Sequence, residues 1–180
     1  MLKQNQKEKI KDIFDSSELV MLDLYDEEND NYRFPALLIR TDEERSEVRD
    51  YIIKLAEEYK YNFVQISADY SELRNKEYFY TNKGGGHIRP AQDFIDSIDE
   101  QDTLLYMEDL IDIEDDIWRR TIIEFIGSHI VLDSRAEKGY KRLASYVMVV
   151  IVIRKNTDSH KLREFRTMDA KDSFITVTIE

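Results

Sequence analysis

Thr103-Leu104-Leu105-Tyr106-Met107-Glu108-Asp109-Leu110 is the stretch on which the reading of this chain turns. An apolar run of strand length stops abruptly at two adjacent acids. Such a run predicts a buried strand that delivers carboxylates to the carboxyl edge of a sheet, which is where α/β folds bind their ligands. In a phosphate-binding fold an acidic pair there would hold Mg²⁺ and polarise a water, because a hard cation takes oxygen ligands and a triphosphate needs its charge neutralised. The plainer alternative is a buried strand that runs into the acidic cap of the next helix.

Outward from that strand, the chain alternates between strand-like and helix-like patterns. Residues 91–98 read as a short helix leading into it. Upstream, residues 34–40 (FPALLIR) form a compact apolar run, the first core strand. The Thr41-x-x-Glu44 spacing is that of a capping box, opening a helix whose Val48, Tyr51, Ile52, Leu55 and Tyr59 recur at intervals of three and four. Residues 61–67 (YNFVQIS) alternate as a second strand, so strand, helix and strand make a parallel βαβ unit. Downstream, residues 115–126 present Ile117, Trp118, Thr121, Ile122, Phe125 and Ile126 on one broad apolar face, with Trp118 as a core or interface anchor. Residues 130–132 carry that apolar surface into a basic turn, 135–142. Residues 146–153 (YVMVVIVI) are too few to span a membrane and predict a strand buried on both faces. A β-branched strand over 174–179 closes the chain.

The remaining segments are less regular. Residues 3–14 predict a charged helix with a narrow stripe of Ile10, Ile13 and Phe14, packed on the domain as a brace. Residues 18–24 are apolar and fit strand or helix equally. Residues 26–32 (DEENDNY) form an acidic loop without periodicity, and 68–80 is polar and rich in tyrosine. Gly84, Gly85 and Gly86 follow; three of the five glycines in the chain free the backbone at one point. Since no clear strand precedes them and no helix follows directly, a hairpin tip or loop is expected rather than a phosphate cradle. The expected division is an N-terminal helical brace with an acidic loop over 1–33, and an α/β core over 34–180.

Composition narrows the classes. In 180 residues, 38 Asp and Glu face 26 Lys and Arg, a formal net charge of −12, which repels phosphate backbones and anionic membranes unless a basic patch offsets it locally. With no Cys, disulfides and thiolate metal sites are excluded, and His87, His129 and His160 are too scattered to suggest a metal cluster. No apolar segment reaches spanning length and the N-terminus lacks the apolar core of a signal peptide. Cytoplasmic residence is the expectation, in a host's cytoplasm if the gene is carried by a phage or mobile element.

In this order, FPALLIR, helix, YNFVQIS, glycine loop, TLLYMEDL, helix, YVMVVIVIRKNTD and SFITVTI, the chain resembles the core of AAA+ ATPases, and most closely their MoxR-like branch. The segment GGGHIRPAQDF resembles the glycine-containing tract that this branch places before its Walker B strand. Asp133-Ser-Arg135 and Gly139-Tyr140 echo its turn before the fourth strand. The resemblance covers residues 34–180 and implies a three-layer α/β sandwich with a mostly parallel five-stranded sheet, strand order 5-1-4-3-2, and an N-terminal helix added. It also implies where ATP and Mg²⁺ would bind.

The departures bear on function. Where the family carries GxxxxGK[ST] after its first strand, to wrap backbone N–H groups and a lysine around phosphates, this chain has Arg40, Thr41, Asp42, Glu43 and Glu44. Like charge and bulk would stand where a triphosphate sits. The Walker B order of Asp then Glu is exchanged to Glu108 then Asp109, a displacement that metal geometry tolerates poorly. The sensor position falls on Arg154, with Asn156 two residues on. The arginine-finger position falls near Ser173, and the helical lid that follows the last strand in the family is missing. The expectation is therefore a pseudo-ATPase without ATP or Mg²⁺, acting as a protein-interaction or regulatory module that takes a protein partner or a second copy of itself. Tyr78, Phe79, Tyr80, Gly84, Gly85 and Gly86 would offer its contact surface. The alternatives are a divalent-metal-dependent ATPase or phosphohydrolase using Glu108 and Asp109, and a nucleic-acid accessory protein binding DNA through Arg135, Lys138, Lys141 and Arg142 with Arg154 and its neighbours.

Overall fold

The computed structural model describes residues 2–16, 25–26, 31–32, 36–66, 79–81, 88–110, 119, 130–132, 135, 137, 140–142, 147–158, 160 and 174–180. Five strands carry the fold: β1 (Ala36–Arg40), β2 (Asn62–Ile66), β3 (Thr103–Glu108), β4 (Val147–Ile153) and β5 (Phe174–Thr178). They form one sheet in the order β5-β1-β4-β3-β2, and every neighbouring pair is parallel. This is the order and sense expected from the resemblance. β4 sits in the middle with all seven residues buried, as a strand covered on both faces must be.

Alternation along the inner strands sorts their side chains between two cores. Leu37 and Ile39 of β1, Leu104 and Tyr106 of β3, and Met148, Val150 and Val152 of β4 share one cluster. That cluster is roofed by helix α1 (Gln4–Asp15), through Ile10 and Phe14 with Leu2 just ahead of it, and by helix α2 (Arg45–Glu58), through Val48, Ile52, Leu55 and Ala56. Helix α3 (Gln92–Glu100) buries Phe94, Ile95 and Ile98. The step from β2 back to β3 runs across the sheet in the direction opposite to the step from β1 to β2, so right-handed crossovers place α2 and α3 on opposite faces. Helices, sheet and helix make the three layers.

Several local expectations need correction. The Thr41–Glu44 pair is not a capping box: α2 begins one residue after Glu44, whose side chain makes no cap bond, while Thr41 Oγ1 accepts the N–H of Glu43 at 2.9 Å. A hydroxyl-centred turn thus consumes the threonine before the helix starts. The acidic stretch after Tyr25 is not wholly loop, since Tyr25–Asp26 pairs antiparallel with Asn31–Tyr32. Ile130–Leu132 pairs antiparallel with Tyr140–Arg142, so a strand replaces the plain continuation into a basic turn. The glycine run does follow a strand, Phe79–Thr81, which pairs antiparallel with Ile88–Pro90; the glycines themselves, expected at a hairpin tip or loop, lie outside the described residues. The helix expected over 115–126, including Trp118, lies outside the described residues apart from Arg119.

The C-terminus of α2 offers a direct test of backbone chemistry. Tyr61 N–H donates to the Ala56 carbonyl at 2.8 Å and Lys60 N–H to the Glu57 carbonyl at 3.2 Å, which together make a Schellman ending. That ending places Lys60 at φ 62°, where a side chain crowds the following carbonyl. Lys60→Gly is expected to stabilise the fold by about 0.5–1 kcal/mol, the relieved crowding exceeding the extra chain entropy of glycine. The shift of the urea midpoint measures it.

Candidate functional site

The parallel ladder brings the carboxyl ends of β1, β3 and β4 to one edge. Beyond the last paired residues the backbone bonds continue, Thr41 N–H to the Ile153 carbonyl at 3.0 Å and Asp109 N–H to the Val152 carbonyl at 2.9 Å. Around these ends lies a cleft of about 400 Å³, lined by Thr41, Asp42, Glu43, Glu44, Arg45, Asp109, Arg154 and Asn156. The phosphate-loop position, the second acid and the sensor position of the sequence analysis therefore meet in one place. Arg40 does not line it; its guanidinium donates to the Lys155 carbonyl at 2.8 Å.

The two acids of the central strand part company. Glu108 ends β3 and lies on the same side of the strand as Tyr106, two residues earlier, whose hydroxyl donates to its Oε1 at 2.9 Å. Burial of the ring, and then the adjacent Glu108 charge, push the Tyr106 hydroxyl well above the ordinary tyrosine range, so it stays protonated and remains a donor. Asp109 alone reaches the cleft. Its backbone turns through φ 50°, a left-handed conformation that aspartate tolerates better than most residues. Its carboxylate accepts a 2.6 Å ion pair from Arg45, with the two side chains 31% and 22% exposed.

Arg45, which sequence reasoning did not single out, dominates the interior of the cleft. Besides Asp109 it reaches the Ile153 carbonyl at 3.3 Å and the Thr41 carbonyl at 3.5 Å. It is the first residue of α2, so its guanidinium stands directly behind the position of a phosphate loop. No local pattern could have marked it, since its partner is 64 positions away.

Chemically, the cleft has an acidic mouth, where Asp42 and Glu44 are exposed, and an ion pair within. The β1–α2 turn of Thr41, Asp42, Glu43 and Glu44 supplies neither glycine nor lysine. Among the described residues no group of three or more His, Asp or Glu is placed to hold a metal ion. Of the surface expected at the hairpin, Phe79 and Tyr80 lie on its first strand, while Tyr78, Gly84, Gly85 and Gly86 fall outside the described residues. No described helix is long and apolar enough to cross a membrane.

No family model matches the chain, and no curated protein matches it. Among solved structures it is similar to a chain of Drosophila ORC bound to DNA, with a TM-score of 0.47 and 12% identity over 97% of this chain and 91% of that one. It is also similar to NtrX from Brucella abortus, with a TM-score of 0.44 and 13% identity over 91% of this chain. The match covers 34% of the NtrX chain.

Proposed function

We propose that this chain is a non-catalytic module of AAA+-like architecture, a pseudo-ATPase that works by binding a protein rather than by turning over nucleotide. The observation that carries the reading is the turn between β1 and α2. It brings Asp42, Glu43 and Glu44 to the mouth of the cleft, with Arg45 tied to Asp109 behind them. A polyphosphate entering there would meet like charge at the mouth and find the arginine already engaged. Mg²⁺ would find its two nominal ligands committed to different partners, Glu108 to Tyr106 and Asp109 to Arg45. The acidic surface suits a partner of basic character, and complementary charge of this kind contributes to specificity and association rate more than to raw affinity.

Thermal unfolding in rising concentrations of Mg-ATP tests this. A ligand that binds the native state at a hundred times its Kd adds about 2.7 kcal/mol, or roughly 5–10 °C in a domain of this size. The expected result is a melting temperature that does not move with Mg-ATP, together with no release of inorganic phosphate. A saturable rise would overturn the reading.

A further inference from the structure

We propose that Arg45 is an internal latch that ties together the strand ends around the cleft, as a bound ligand does in other α/β folds. A ligand at the carboxyl edge of a parallel sheet bridges loops that leave separate strands. Here one guanidinium bridges them: the Thr41 carbonyl after β1, the Ile153 carbonyl at the end of β4, and the Asp109 carboxylate after β3. The fork geometry matters, because Nη1 faces the two carbonyls while Nη2 faces the carboxylate, whereas a lysine would offer one nitrogen in place of two.

The rest of the site is arranged around the same contact. Asp109 adopts a left-handed backbone that costs an ordinary residue roughly 1–2 kcal/mol, and its N–H bond to Val152 and its ion pair with Arg45 hold it there. Arg45, as the first residue of α2, is fixed by the helix behind it. The consequence is that the acid-bearing turn over 41–44 is held in one orientation without any ligand, which removes an ordering cost from partner binding. This deepens the functional reading above and rests on it, since a nucleotide-binding cleft would be expected to open.

Amide hydrogen exchange on the full chain, with wild type, Arg45→Ala, Arg45→Lys and Asp109→Asn, tests the latch. In Arg45→Ala, segments covering 41–47, 109–110 and 153–157 are expected to exchange about tenfold faster, while α1 and the middle of β4 keep wild-type rates. Arg45→Lys and Asp109→Asn should fall between wild type and Arg45→Ala, and both remain informative if the alanine variant fails to fold. Unchanged exchange in those three segments would overturn the latch. Acceleration spread evenly over the chain would also overturn it, because it would mean global destabilisation. Mg-ATP binding by wild type would sink the pseudo-ATPase reading while leaving the pattern of exchange interpretable on its own.

Discussion

A variant that starts at residue 17 is expected to be predominantly unfolded at 25 °C, because α1 completes the core beneath it. Leu2, Ile10 and Phe14 are 5%, 0% and 2% exposed, and they share a cluster with Leu37 and Ile39 of β1, Ile52 and Leu55 of α2, and Val177 and Ile179 at the chain's end. Removing a buried side chain of that size costs about 2–5 kcal/mol, so three of them approach the roughly 5–15 kcal/mol that holds a typical domain together. Polar ties go with them: Tyr51 donates to the Lys7 carbonyl at 2.8 Å, the buried Gln6 amide donates to the Glu180 carbonyl, and Tyr59 donates to Asp15. A milder test is Phe14→Ala, which empties the space facing the Tyr59 ring, 5.7 Å away between centroids. It is expected to cost about 3–5 kcal/mol and to lower the melting temperature by roughly 10 °C. Circular dichroism on heating and in urea measures both. A truncated chain that melts cooperatively within a few degrees of the full one would show that α1 merely rests on a core already complete.

That helix was legible in the sequence because its stripe of Ile10, Ile13 and Phe14 repeats at helical spacing. The five core strands were legible for a similar reason: a run such as Val147–Ile153, apolar at every position, has few structures open to it other than a strand covered on both faces. Their order came from the resemblance rather than from the runs, since periodicity says which residues are buried and nothing about which strand lies beside which. The candidate site was only half legible. Its backbone positions could be placed, because ligand edges follow from strand ends, and Thr41, Asp42, Glu43, Glu44, Asp109, Arg154 and Asn156 do meet around one cleft. Its side-chain partners could not. The divergence of Glu108 and Asp109 depends on the left-handed turn at Asp109, and the Arg45 contact joins segments far apart in the chain. Short hairpins such as Ile130–Leu132 with Tyr140–Arg142 escaped because three-residue strands are too brief for alternation to register.

Tyr106→Ala should give the second large loss, and its companion Tyr106→Phe separates the causes. The ring is wholly buried and stands 5.6 Å from Phe63 on the neighbouring β2 strand, so truncation leaves a cavity at the centre of the α2-facing core and costs about 3–5 kcal/mol. Tyr106→Phe keeps the ring and loses only the bond to Glu108. Because Glu108 is half-buried, water can partly replace the donor, and the cost at neutral pH should be about 1 kcal/mol. The two variants also differ in alkaline solution. The folded state holds the Tyr106 proton above the ordinary value of 10.0, so its contribution is complete below pH 10 and is lost as pH rises toward the folded value. Over the unit from pH 10 to 11 the loss approaches about 1 kcal/mol, since one proton per pH unit corresponds to 1.36 kcal/mol. Tyr51 and Tyr59 are raised in the same sense and remain in both variants. Urea unfolding at pH 8, 10 and 11 should therefore show stability falling less steeply in Tyr106→Phe than in wild type. Parallel curves would mean that the hydroxyl ionises as freely in the folded protein as in the unfolded chain, and that Glu108 is not held by it.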